Sequence, residues 1–240
     1  MTQPPFSLWV YLSQTPLLWL TITLFVYVIA DAFSRATSRH PLANPVLHSI
    51  WILAAFLWLT GTRYETYFSG AQFVHFLLGP ATVALAIPLY ENRKAVMAAI
   101  LPMLAALVVG SVSAIGSVVL LAEAMGLPRN VVLSLAPKSV TAGVAMGISE
   151  SLSASPALTA VATVLTGIMG AIVVTPMMNR LGITDFRARG FAAGLASHGI
   201  GTARAFQVDE VAGVFAGIAM SLNALVTSLL VPVAVTLLLK

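Results

Sequence analysis

The chain has 240 residues, of which 59% are hydrophobic and 8% are charged. Soluble domains carry about 25% charged residues, so an ordinary soluble core is excluded. Its apolar runs are long and do not alternate, which predicts an all-α membrane protein with about seven or eight segments of about 20 residues. The sequence contains no cysteine, which excludes disulfides, thiolate catalysis and Cys-ligated metals. The net charge of +4 indicates basic cytoplasmic loops rather than nucleic-acid binding.

The predicted membrane segments follow the apolar runs in chain order. They cover residues 17–34, 45–61, 68–90, 95–121, 130–150, 157–178 and 211–239, with a further polar-centred segment around His198. The N-terminal residues lack a basic region and a small-residue cleavage site, so we expect no removable signal peptide. We therefore treat residues 1–240 as a single integral membrane domain.

Three of these segments are apolar at both ends and polar in the middle. Pro137 removes a backbone donor and clashes with the preceding turn, which predicts a break in the helix beside Lys138. Glycines around His198 permit an unwound backbone. A third and weaker segment is Leu78-Gly79-Pro80-Ala81-Thr82. The predicted helix-breaking residues are Gly79, Pro80, Pro137, Gly199 and Gly201.

An internal repeat is a further expectation. Laying Leu78 on Leu195 aligns a broken segment, a charged turn and a long helix in each half, about 15–124 and 128–240. Inverted repeats with broken helices at matching positions are typical of secondary transporters. A re-entrant Lys138 segment would also place all the basic loops on one side of the membrane.

Lys138 is the leading candidate for a ligand-binding residue. A charge at bilayer depth costs about 2.5–3.5 kcal/mol, so we expect such a lysine to have a use. Its ammonium would hold a carboxylate, and the following half-helix would add its positive N-terminal end. The hydroxyls of Ser139 and Thr141 would donate to the same anion. The alternative is a lysine that pairs with a carboxylate or snorkels to the interface.

His198 is the second candidate because an imidazole titrates near neutral pH. It would relay a proton or donate a hydrogen bond to the substrate, with Thr202 nearby. The alternative is a packed, hydrogen-bonded histidine at a helix crossing. Glu150 is the other candidate for proton coupling; it would act as a gate or be a simple loop charge.

Three more residues complete the predicted binding set. The guanidinium of Arg204 suits a carboxylate substrate, although pairing with Asp209 and Glu210 is the alternative. Asn223, inside the last helix, and Thr82, in the third segment, would bond to the substrate or to a broken segment.

Enzyme and cofactor signatures are absent from the sequence. It contains no P-loop, no H-E-x-x-H, no G-x-S-x-G and no paired carboxylates at membrane depth. His198 has no cysteine or second histidine nearby, so we expect no metal site. We expect a protein that is not an enzyme and uses no cofactor.

These motifs resemble the LrgB/CidB family of membrane proteins. The resemblance rests on Ala-Pro-Lys-Ser-Val-Thr at 136–141, on residues 156–161 and 166–168, and on the run from 188 to 204 around Ser-His-Gly-Ile-Gly-Thr-Ala-Arg. Three departures stand out. Ala-Gly follows Thr141 where the family usually has Thr-Pro, Gly199 stands where Ala is frequent, and charge after Arg204 is sparser. Lys138, His198 and Arg204 stay in place.

The resemblance implies two different functions. Bacterial members are described as antiholin-like partners of a small LrgA/CidA-type protein, linked to murein hydrolase export and lysis. Other members resemble carriers of pyruvate, or of glycolate and glycerate in the chloroplast relative. The resemblance also implies a fold similar to cation/proton antiporters and bile-acid symporters, which is an analogy at the level of fold.

Three hypotheses follow. The first is a secondary transporter of small monocarboxylates (glycolate, glycerate, lactate or pyruvate), with His198 or Glu150 coupling a proton. The second is a holin-like or antiholin-like regulatory protein, and the third is a structural subunit of a larger complex. We expect a multi-pass protein of the bacterial cytoplasmic (inner) membrane that forms a homo-oligomer, a dimer, within the lipid bilayer. A partner of LrgA/CidA type is compatible with the second hypothesis, and no nucleic acid is expected.

Overall fold

The structure, a computed structural model, describes residues 15–77, 80, 83–84 and 86–238. It divides into two compact units, Met1–Ala86 and Ile87–Lys240, and each is described by itself. Two residues of the predicted third broken segment, Gly79 and Thr82, lie outside the described residues. Pro80 is described, with helical backbone and an exposed side chain.

The described residues of the first unit form three helices and a short 3-10 turn at Pro41–Ala43. The helices are α1 (Pro16–Ala36), α2 (Pro45–Thr60) and α3 (Tyr64–Phe76). A proline in the first turn suits α1 and α2, since the missing N–H has no helical partner there. Asn44 caps α2 through its Oδ1, which accepts from the amides of Val46 and Leu47.

Trp19 forms the core of the first unit. It is fully buried on α1, and its ring meets Phe56 of α2 and Tyr67 of α3 edge-on at 6.3 and 6.0 Å. Gly70 on α3 lies against the backbone of Pro16, where a larger residue would not fit. These contacts hold α2 and α3 on α1.

Eight helices are described from the unit boundary onward. They are α4 (Ala86–Glu91), α5 (Arg93–Ala98), α6 (Ile100–Ala124), α7 (Arg129–Leu135), α8 (Ala142–Ser151), α9 (Pro156–Arg180), α10 (Phe186–Val208) and α11 (Glu210–Leu238). All regular structure among the described residues is helical, as the sequence predicts.

Four of the described helices are long and apolar enough to cross a membrane: α1, α6, α9 and α11. Helix α2 is apolar but has only 16 residues. Their bounds agree with the predicted segments to within a few residues. The sequence-based total of seven or eight segments, the inverted repeat and the antiporter-like fold stay predictions.

Helices α10 and α11 pack closely through small residues. A Cβ added to Gly190 or Gly194 of α10 would collide with the backbone carbonyls of Ala212 and Ala216 in α11. Both pairs recur at a spacing of four residues, the pattern by which membrane helices bring their backbones together. This contact fixes the helix that carries His198 against the helix that carries Asn223.

Candidate functional site

The first helix break separates α7 from α8 and covers residues 136–141. Helix α7 ends at Leu135, two residues before Pro137, because the proline cannot continue the hydrogen-bond ladder. Pro137 and Val140 are fully buried, and the surrounding core comes from α6, α7, α8 and α11. The break therefore lies inside the packed second unit, as predicted.

Lys138 lies in the middle of this break and is partly buried. Its backbone amide donates to the carbonyl of Leu135 at 3.1 Å. Among the described residues, its ammonium makes no hydrogen bond, and none of their three ion pairs includes it. Within those residues, the carboxylate partner of the alternative interpretation is not found. The cation is thus placed beside the start of α8 without a counter-charge from the described part of the chain.

The other predicted residues near the first break differ in their surroundings. Ser139 is buried, and its carbonyl is bound by Asn223. Thr141 precedes α8 in the N-cap position, but its side chain accepts no bond from the helix. The first-turn amides of α8 therefore lack a side-chain cap and point into the break. Glu150 lies at the far end of α8 and is exposed.

The second break lies within α10, at His198. Its φ of 42° and ψ of −135° are outside the helical region, and the chain is helical on both sides. The sequence analysis placed the unwound backbone at Gly199 and Gly201, whereas the non-helical residue is the histidine that precedes them. Gly201 serves close packing instead, since a Cβ there would lie 2.5 Å from the carbonyl oxygen of Ala193. A Cβ added to Gly199 would lie 3.8 Å from the sulfur of Met220, which is an ordinary contact.

The side chain of His198 is buried and hydrogen-bonded. Nε2 lies 3.0 Å from the carbonyl oxygen of Thr163 on α9, so it donates in the tautomer that protonates Nε2. Thr202 donates its hydroxyl to the carbonyl of His198 at 2.8 Å. Arg204, six residues after His198, is buried and donates to Gln207 Oε1 at 3.3 Å. This arrangement matches the packed, hydrogen-bonded alternative for the histidine.

Asn223 of α11 joins the two breaks. Its side-chain amide nitrogen donates to the carbonyls of Ser139, in the first break, and Leu195, one turn before His198, at 3.2 and 3.0 Å. Its Oδ1 accepts from Ser111 on α6 and from Thr227, at 2.8 and 3.1 Å. Both donors and both acceptor positions of this buried amide are thus used. The two breaks approach each other closely enough to share one side chain.

Helix α9 presents a row of small and polar residues to both breaks. Thr159 Oγ1 lies 2.8 Å from the carbonyl of Ser134, at the end of α7, and 2.8 Å from Ser149 Oγ in α8. One turn later, Thr163 accepts the bond from His198, and a Cβ at Gly167 would lie 2.7 Å from the imidazole ring. The sequence predicted α9 only as a membrane segment and not as part of the site.

Three residues at the site were missed by sequence reasoning: Ser111, Thr163 and Ser197. Ser111 supports Asn223, while Thr163 and Ser197 are fully buried with hydroxyls that have no hydrogen-bond partner among the described residues. The signal that was available for Thr163 is its place in Thr159, Thr163 and Gly167, a spacing of four residues on one helix face. No group of three metal-ligating side chains occurs in the described part of the chain.

A model of the family described as "LrgB-like family" matches residues 23–237. This match covers most of the chain and confirms the resemblance drawn from the motifs around Lys138 and His198.

Individual relatives match over almost their full length. "Holin-like protein CidB" of Staphylococcus epidermidis is 30% identical over 230 residues, which are 95% of this chain and 98% of the relative. The protein of the same name in Staphylococcus aureus is 29% identical over 92% of this chain and 96% of its own. "Uncharacterized protein YwbG" of Bacillus subtilis is 34% identical over 87% of this chain and 92% of its own. No solved structure matches the chain.

Proposed function

Because this chain belongs to the LrgB-like family of multi-pass bacterial membrane proteins, we propose a transport function for its pair of helix breaks. The proposed activity is secondary transport of small monocarboxylates such as glycolate, glycerate, lactate or pyruvate. The names of the CidB relatives point elsewhere, to a holin-like role. The transport proposal therefore rests on the geometry of the site.

The observation that carries this proposal is the position of Lys138. Holding a partly buried ammonium in the packed second unit without a counter-charge is unfavourable, and a negatively charged solute would offset this cost. The uncapped start of α8 adds its partial positive charge and free amides on the same side of the break. One cation balances one carboxylate, which favours monoanions over dianions.

Asn223 supports a carrier in a second way. Its two hydrogen bonds connect the backbone beside Lys138 to the backbone before His198, so a displacement of one break would displace the other. Carriers need this type of connection, since solute binding must be converted into a change of access. In this proposal His198 is held in place by its bond to Thr163 and lines one side of the site. The proposal also includes proton coupling, by His198 or by Glu150.

The holin-like role is the second candidate, and the names of the CidB relatives favour it. In this role the chain would assemble, alone or with a small membrane partner of LrgA/CidA type, to form or block a membrane lesion. Such a role depends on lipid-facing and partner-facing surfaces. It assigns no task to an unpaired cation inside the core.

Reconstituted protein in liposomes separates the two candidates. A carrier takes up labelled glycolate or pyruvate with saturation, and Lys138→Ala removes the saturable component while Lys138→Arg retains part of it. Lys94→Ala is the matched control, because Lys94 is an exposed lysine outside both breaks. Repeating the assay with a pH gradient tests proton coupling. A leak that grows linearly with solute concentration and is unaffected by Lys138→Ala would favour the holin-like role and refute the carrier.

A further inference from the structure

A large cavity opens in the second unit between α6, α9, α10 and α11. Its volume is about 820 Å³, and most of the lining side chains are apolar. This volume lies within the range of about 300–1,000 Å³ that is typical of small-molecule sites. Neither Lys138 nor His198 is among the residues that line the cavity.

One end of the cavity lies at the break in α10. Its lining on α10 runs from Arg187 to Ser197, a length of about 15 Å at the helical rise. Gly110 of α6 packs against Leu195, and Gly170 of α9 packs against Ser197, so these residues share the inner end. From there the lining of all three helices continues towards the loop that joins α9 to α10, and we take this end as the mouth.

Small side chains create this space. The α10 face of the cavity presents Ala188, Ala192 and Ala196, and Gly110 and Gly170 line it from α6 and α9. Larger residues in place of the alanines would fill the cavity, whereas the two glycines let α6 and α9 approach Leu195 and Ser197 of α10. The cavity is therefore encoded by the sequence as a row of alanines and glycines on facing helices.

The mouth of the cavity carries excess positive charge. Residues 180–189 contain three arginines and one aspartate. Asp185 and Arg187, which both line the cavity, form an ion pair at 2.7 Å, and this leaves Arg180 and Arg189 without a balancing acid in this stretch. An entrance with this charge attracts anions and, as a basic loop, is expected on the cytoplasmic side.

The inner end of the cavity holds an unused hydrogen-bonding group. Ser197 is fully buried, and its hydroxyl has no partner among the described residues. It packs against Gly170 and directly precedes His198. A buried hydroxyl without a partner costs free energy, and a bound solute or water supplies the missing bond.

We propose that this cavity is a water-filled vestibule, open on the cytoplasmic side, through which the anion reaches the break in α10. Ser197 at its inner end donates a hydrogen bond to the anion as it passes. This inference rests on the proposed carrier function for the identity of the solute. The presence of water in the cavity does not depend on that function.

Cysteine accessibility tests the vestibule directly, since the natural chain has no cysteine. Single cysteines at Ala188, Ala192 and Ala196 sample the mouth, middle and inner part of the cavity. Leu165 and Leu229 are controls that are 56% and 74% exposed on the outer faces of α9 and α11, where lipid is expected. Each variant is treated in inside-out and right-side-out vesicles with a membrane-impermeant thiol reagent.

We expect the three cavity cysteines to be labelled from the cytoplasmic side and the two control cysteines to remain unlabelled. If Ala192→Cys and Ala196→Cys are modified only by a lipid-soluble reagent, the cavity holds lipid or another helix and the proposal is overturned. If they are labelled but millimolar glycolate or pyruvate gives no protection and no uptake occurs, the vestibule stands and the carrier function fails.

Ser197→Ala tests the second part of the inference. We expect labelling at Ala192→Cys to be unchanged, thermal stability to be equal or higher, and the KM for uptake to rise about tenfold with little change in the maximal rate. A merely structural serine would lower stability when it is removed. An unchanged KM would eliminate Ser197 as a contact of the solute.

Discussion

At the first break, residues 136–141, the charged side chain of Lys138 is left available; at the second, centred on His198, the imidazole is used. Lys138 has no partner among the described residues, and α8 starts without a side-chain cap. The imidazole of His198 is bonded to Thr163, and its carbonyl is bonded to Thr202. The space around nearby glycines also differs. A Cβ added to Gly147 of α8 would meet no atom within 4 Å, whereas a Cβ added to Gly167 of α9 would lie against the imidazole ring of His198.

This difference indicates a division of labour between two similar motifs. A group whose hydrogen bonds are all made inside the protein contributes to stability and position, whereas an unsatisfied group is available to a ligand. In the proposed carrier, Lys138 balances the charge of the solute, and the imidazole of His198 holds α10 against α9 through its bond to Thr163. Asn223 links the two.

The largest effect is expected at Lys138, where activity and stability should change in opposite directions. Lys138→Met removes the cation that balances the solute, so we expect saturable uptake to fall roughly 100-fold. The same change removes an unpaired charge from the core, which should stabilise the fold by about 1–3 kcal/mol. Uptake in liposomes and thermal unfolding in detergent measure the two effects. A destabilised Lys138→Met variant would show that the lysine has a structural partner.

Asn223→Ala should have the next largest effect. It leaves the carbonyls of Ser139 and Leu195 without their donor, and a side-chain hydrogen bond in a membrane protein is worth about 0.6–1.7 kcal/mol. We expect a loss of about 2–4 kcal/mol and a midpoint of thermal unfolding lower by about 5 °C or more. Ser111→Ala is the control, since it removes one bond to Asn223 and leaves both links in place. Equal losses in the two variants would argue against Asn223 as the link.

A pair of glycine substitutions compares the surroundings of the two breaks. In Gly167→Ala the new Cβ would lie 2.7 Å from the His198 ring, so the ring must move away from Thr163, at a cost of about 1–3 kcal/mol. In Gly147→Ala nothing lies within 4 Å, and helix propensity predicts a gain of up to about 1 kcal/mol. Thermal unfolding of both variants decides the comparison. A stabilised Gly167→Ala variant would mean that the second break is loosely packed.

The sequence predicted the break at Pro137 and the helix bounds well because both follow from local rules. Proline stops a helix in any surroundings, and a long apolar run is helical in a membrane. The use of Asn223 as a bridge was not predictable in detail. It donates to backbone carbonyls, and since every residue has a carbonyl, the sequence does not indicate which ones are its partners.

The position of the second break shows another limit of sequence reasoning. Glycine is the usual residue for a positive φ, so the prediction fell on Gly199 and Gly201. In the structure His198 has the positive φ, and its ring is held by Thr163, 35 residues earlier in the chain. Local preference was overridden by a tertiary contact, and a strained residue that is held this way is typical of functional sites.

The smallest expected effect concerns the start of α10, which is capped, in contrast to the start of α8. Asp185 accepts bonds from the side chain and the backbone amide of Arg187, at 2.7 and 2.8 Å, and these bonds hold the pKa of its carboxyl below the usual 3.8. Because the folded-state pKa is the lower one, this contribution to stability is present above about pH 4 and is lost as the pH falls further.

Asp185→Asn separates the charge from the cap, because asparagine still accepts the amide bond of Arg187. The pair is about half exposed, so solvent screening limits the expected difference to a few tenths of a kcal/mol. Thermal unfolding should show the natural chain slightly more stable at pH 6, with a difference that shrinks steadily as the pH falls below about 4. A difference that does not shrink over this range would assign the stabilisation to the cap. In that case the contrast between the two helix starts would be one of hydrogen bonding alone.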